Sequence, residues 1–189
     1  MLKLISNSNY FCNFFGYAMF AILLLSNCRT DTKFENQISS YIKDRNFCLA
    51  DQLLKQKMGV SKESIEYAKL AFLLGRSKAD QYKFEEAAIQ FDTVTKTQNL
   101  NKNSDLWIDA TRYKIEMLLK LNQLDRAKSL IDELERFAQE FNSPKAMGYV
   151  LRGKCVYYLR TKNDSMFALS TQHAILHAQK YKNIELEGI

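Results

Sequence analysis

Two histidines, His173 and His177, stand four residues apart near the end of the chain. On a helix that spacing puts both imidazoles on one side, where they could share a metal ion. A stable site needs at least a third ligand, and acidic residues are scarce nearby, so the pair reads as ordinary side chains and no metal site is expected. The acid pairs Glu85-Glu86 and Asp132-Glu133 are adjacent in sequence. Neighbouring residues on a helix point in different directions, so these carboxylates suit solvated faces better than acid–base catalysis. No phosphate-binding glycine loop, zinc-protease motif or nucleophile elbow occurs. The sequence implies a chain that is not an enzyme and that needs no cofactor.

The cysteines point elsewhere. Cys12 lies inside the run FCNFFGYAMFAILLL, residues 11–25. That run is short for a membrane span of ~20 residues and suits the core of a signal peptide. Cys28 follows directly after Leu25-Ser26-Asn27. This arrangement resembles the lipobox of bacterial lipoproteins, in which such a cysteine is acylated and becomes the new N-terminus. The resemblance implies a signal peptide over 1–27, lipidation at Cys28, a linker over 28–33 and a membrane-anchored protein of the bacterial envelope facing the periplasm or exterior. The alternatives are an uncleaved anchor and a soluble protein. Cys48 and Cys155 remain, far apart in sequence, and are expected as free thiols packed like small apolar residues.

The elements that position everything else follow from a recurring alanine. Ala50, Ala87, Ala127 and Ala168 are spaced by 37, 40 and 41 residues. Three have an apolar residue three before (Phe47, Phe84, Leu124) and another four after (Leu54, Phe91, Ile131); the fourth has Ser165 and Gln172 there. A small residue every 37–41 positions marks stacked helical hairpins, whose close crossings need small side chains. One Pro and six Gly leave few breaks, and the composition favours helix. Hairpins are expected over about 34–60, 61–103, 104–142 and 143–182, with a fifth helix pair starting at 183–189. That start implies either a short capping helix or a chain that continues. Asp44, Asp80, Ser104 and Ser143 are the candidate helix caps, with Pro144 at a first helical position. Trp107 is expected to pack between hairpins.

The pattern resembles the tetratricopeptide repeat family, in which a small residue in the first helix precedes the alanine by twelve and an aromatic follows it by four. Gly75, Ala87 and Phe91 match best. The resemblance covers about residues 34–189 and implies an all-α superhelix (solenoid) of about four hairpins with a groove for a protein or peptide. It places partner contacts on the first helices, with Tyr67, Arg112, Tyr149 and Arg152 as candidates. The alternative is the sensory region of a truncated membrane-bound signalling protein, a transcriptional regulator or a histidine kinase.

Charge sharpens the partner. Residues 34–144 balance basic against acidic side chains, whereas 145–182 carry Lys145, Arg152, Lys154, Arg160, Lys162, Lys180 and Lys182 against Asp164 alone. The excess fits a solvated surface, an acidic peptide or an anionic lipid. Nucleic acid is not expected, because no strand-like pattern of stacking aromatics accompanies it, and a small-molecule ligand is not favoured.

Overall fold

The computed structural model describes residues 32–59, 65–97, 100–102 and 104–181. Cys28, the hydrophobic run before it and the start of a fifth hairpin lie outside the described residues. The described residues form helices with no strand: α1 (32–43), α2 (Phe47–Met58), α3 (Ile65–Asp80), α4 (Phe84–Thr95), α5 (Asp105–Lys120), α6 (Leu124–Glu140), α7 (Pro144–Arg160) and α8 (Asp164–Tyr181). Helix α1 thus starts inside the stretch expected as linker. Among the described residues no helix is long and apolar enough to cross a membrane.

The chain divides into two units, Met1–Arg45 and Asn46–Ile189. In the first, α1 ends in a turn closed by the Asp44 and Arg45 amides, which donate to the carbonyls of Ser40 and Ile42. In the second, each helix packs on its chain neighbours, and α5 also touches α3 and α7. That contact pattern explains the burial. The first helices of the hairpins are covered on several sides, and α5 buries Trp107, Ile108, Ala110, Thr111, Ile115, Met117, Leu118 and Leu119. The second helices bury one stripe: Ala87, Phe91 and Val94 in α4; Ala127, Ile131, Leu134, Phe137 and Ala138 in α6.

One turn recurs within the hairpins and sets their phase. Tyr82, Asn122 and Lys162 take left-handed φ of 62°, 57° and 56°. The amide after each donates five residues back, Lys83 to Lys78, Gln123 to Leu118 and Asn163 to Tyr158, which is the Schellman closure of a helix end. The alanine then sits five residues past the left-handed residue: Ala87 donates to the Lys83 carbonyl and Ala127 to that of Gln123. In the last hairpin the equivalent amide is that of Phe167, donating to Asn163. Ala168 is therefore one position out of phase. Ala50, Ala87 and Ala127 are fully buried, whereas Ala168 is exposed and Phe167 packs against Leu151, Cys155 and Ala174.

With Phe167 in that place, the positions twelve before and four after meet in the second and last hairpins. A Cβ on Gly75 would lie 2.8 Å from Phe91 Cε1, so only glycine seats that ring. Cys155 Sγ lies 3.7 Å from Thr171 Oγ1, and burial pushes the thiol pKa up. Cys155 is buried as expected, but Cys48 is exposed; both are free.

Two expected caps do not form. Asn46 and Lys83 occupy the N-cap positions of α2 and α4 without a side-chain bond. Asp44 instead accepts from Ser40 Oγ, and Asp80 ends α3. The Schellman turn fixes the entry to the following helix through backbone bonds, so no side chain is required there. Ser104 and Ser143 do cap, accepting from the amides of Trp107 and Ala146; before Ser143 the same turn closes as well, with Asn142 at φ 47° and the Ser143 amide donating to the Ala138 carbonyl. Trp107 meets Phe137 of its own hairpin, with ring centroids 5.1 Å apart, so that ring contact lies within the hairpin expected to be bridged.

Candidate functional site

Helices α5 and α7 start parallel hairpin halves, and their facing stripes enclose a cavity of about 150 Å³. From α5 come Arg112, Ile115, Glu116, Leu119 and Lys120; from α7 come Tyr149, Arg152, Gly153, Val156 and Arg160. On each helix the lining recurs every three or four residues, as in 112, 116, 120 and 149, 152, 156, 160, the spacing that keeps side chains on one helix face. Gly153 lets α7 lie close against α6, since a Cβ there would come within 3.2 Å of Ile131 Cγ1 on that helix.

The cations are placed by the repeat. Arg112 and Arg152 are 40 residues apart, as are Lys120 and Arg160, so each pair takes one repeat position on neighbouring helices. Glu116, midway along α5, gives way to Val156 on α7. The lining thus holds four cations, one carboxylate and an apolar strip of Ile115, Leu119 and Val156.

Arg112 is the most enclosed of the four. Its Cζ lies 3.8 Å over the Tyr113 ring and 5.0 Å from the Tyr149 centroid. Burial opposes its charge, but the two tyrosines and Glu116 outweigh that and hold its pKa above the usual arginine value. Its Nε is buried with no hydrogen-bond partner. Its Nη1 is 3.7 Å from Glu116 Oε2, too far for a hydrogen bond. Glu116 is nearer Lys120, at 3.1 Å. Tyr149 is steadied at its far end, donating its hydroxyl to Asp109 Oδ1 at 3.0 Å.

Part of the basic excess is consumed by packing. Lys145 pairs with Asp105 and Asp109 at 2.9 and 3.0 Å, and Lys154 pairs with Glu135 at 2.6 Å. Arg152 and Arg160 have no carboxylate partner among the described residues. A second cavity, of about 320 Å³, lies beside α4 and α5. It is larger, but Asp92 there is already matched by Lys114 and Lys96, both at 2.6 Å, and Glu85 and Arg126 add one charge of each sign, so its lining has no basic excess.

Of the four residues expected from the sequence, the cleft unites Arg112, Tyr149 and Arg152. Tyr67 lies on α3, half-buried and outside this lining. Lys120 and Arg160 were missed; stepping 40 residues from each cation would have found them. Among the described residues no group of three or more metal-ligating side chains forms. His173 is exposed, while His177 packs against Tyr181, the rings tilted by 42°, with both ring nitrogens buried and unpartnered.

No family model, curated protein or solved structure matches this chain. The cleft must be interpreted from its own chemistry. Its lining contains one carboxylate and no His, Cys or Ser, a set suited to holding an anion beside apolar groups.

Proposed function

We propose that this chain is a non-enzymatic docking scaffold of the tetratricopeptide type, a solenoid of helical hairpins that binds a protein or peptide segment between its first helices. The recurrent turn and the alternation of enclosed first helices with one-sided second helices support the solenoid. The observation that carries the binding role is the α5–α7 cleft, where two repeated cation positions line an open cavity and four cations face a single carboxylate, Glu116. We further propose that acyl chains on Cys28 hold the protein to the envelope membrane, a reading supported by the sequence before that cysteine; each buried CH₂ contributes ~0.8 kcal/mol to such an anchor.

The binding role is tested by affinity capture from membranes with the full chain and with Arg112→Glu/Arg152→Glu, after circular dichroism has shown the variant to be helical. Loss of specifically captured protein is expected; unchanged capture rejects the cleft as the docking site. The anchor is tested by labelling with a fatty-acid analogue. Cys28→Ala should abolish the label, and label retained on that variant removes Cys28 as the site.

A further inference from the structure

We infer that the cleft takes an extended acidic segment lying along α5 and α7, with two carboxylates four residues apart and an apolar residue midway between them. This inference rests on the docking role proposed above and names its ligand.

The geometry comes from the repeat. Arg112 and Arg152 form one row across the cleft, and Lys120 and Arg160 form a second row eight residues further along each helix. A rise of 1.5 Å per residue separates the rows by ~12 Å. Packed helices lie ~8–10 Å apart, so one row can hold a single carboxylate from both sides. The two rows are too far apart for one small anion to bridge.

An extended chain advances ~3.3 Å per residue, with alternate side chains on one side. Residues i, i+2 and i+4 therefore face the same way, and i to i+4 spans ~13 Å. That span matches the distance between the rows. Residue i+2 lands on Ile115, Leu119 and Val156, where an apolar side chain loses water contact favourably. Glu116 stands beside this midpoint and disfavours a third acid there. Arg112 is already held against two aromatic rings with its Nε unsatisfied, so little side-chain freedom is lost when a carboxylate arrives.

The test uses fluorescein-labelled peptides and fluorescence anisotropy with the full chain in detergent. The lead peptide is Gly-Ser-Glu-Ser-Leu-Ser-Glu-Ser-Gly. One control has the same composition with the two glutamates adjacent; another has glutamine for both. The lead is expected to bind at least fivefold more tightly than the adjacent-acid peptide, with the glutamine peptide weaker still. Arg152→Gln/Arg160→Gln is expected to weaken the lead about tenfold, the scale of one charge-assisted bond. Lys162→Gln, an exposed change outside the cleft, should bind as the unaltered chain does. Both variants are first shown to melt as the parent does, so weaker binding is not misfolding.

Equal binding of the three peptides, or of the lead by both variants, overturns the inference. So does displacement of the lead by phosphatidylglycerol vesicles whose binding is itself weakened by Arg152→Gln/Arg160→Gln, which assigns the charge to a lipid surface. If the lead fails while capture from membranes still depends on Arg112 and Arg152, the spacing is wrong and the docking role stands. If both fail, the docking role falls with it.

Discussion

Gly75 and Phe91 show how tightly single residues are matched inside a hairpin. The ring lies where a Cβ on residue 75 would sit, 2.8 Å from Cε1 and 3.0 Å from Cδ1 and Cζ. Phe91 is fully buried and cannot swing into solvent. Gly75→Ala should therefore cost ~1–3 kcal/mol by overpacking, even though alanine is the better helix former. Urea denaturation checks it, and Phe91→Leu in the Gly75→Ala background should recover part of the loss by vacating the ring edge. If Gly75→Ala stabilises the chain, helix propensity outweighs the steric conflict. This pairing was visible in sequence as a small residue twelve before the alanine and an aromatic four after it. The site was legible to a similar depth. Arg112, Tyr149 and Arg152 were found as polar or aromatic residues on first helices. Lys120 and Arg160 were not, because a cation near a helix C-terminus is ordinary and only its repeat position links it to the cleft.

At the scale of an element, the last helix separates what residue type suggests from what backbone bonding sets. The alternating helices were legible because small residues recur where helices cross. The phase of α8 was not, since Ala168 imitates the recurring alanine one residue late. The turn decides it: Asn163 bonds to the Tyr158 carbonyl and Phe167 to that of Asn163, so Phe167 occupies the inward position. With that phase, the outer face carries Met166, Leu169 and Leu176, all exposed, where α6 has Arg126, Ser129 and Arg136. A pair of equal substitutions tests the assignment. Ala127→Lys forces a charge into a fully buried crossing and should prevent folding or cost several kcal/mol, roughly the penalty of an unpaired buried charge. Ala168→Lys should change stability by less than ~0.5 kcal/mol, as exposed substitutions do. Chemical denaturation of the two variants distinguishes the phases; equal damage from both would restore Ala168 to the crossing position.

Across the Asn46–Ile189 unit, charge pairs join successive hairpins, and the most enclosed of them gives the unit a defined response to acid. Lys78, with its side chain 8% exposed, bonds Asp51 of α2 at 2.8 Å and Glu86 of α4 at 3.1 Å. Asp51 also accepts from Ser77 Oγ at 2.6 Å and from Gln81 Nε2 at 3.2 Å. Burial alone would raise the Asp51 pKa, but the bonds from Lys78, Ser77 and Gln81 outweigh it and hold the carboxyl below its ordinary value of 3.8. Asp92 is depressed in the same way: burial opposes its charge, and Lys114 and Lys96 more than offset that. A carboxyl with a lowered folded pKa binds fewer protons than the unfolded chain, so its contribution to stability is complete above the unfolded value. It is lost as pH falls below 3.8 through the depressed value. Asp51→Asn keeps the shape but leaves Lys78 without its nearest counter-charge, at a cost of roughly 3 kcal/mol near neutral pH. The stability difference between parent and Asp51→Asn, followed by urea denaturation, should be constant from pH 7 to about 4 and shrink at lower pH. A difference that instead grows toward acid would mean that the Asp51 pKa is raised, and that burial rather than the Lys78 bond governs this junction.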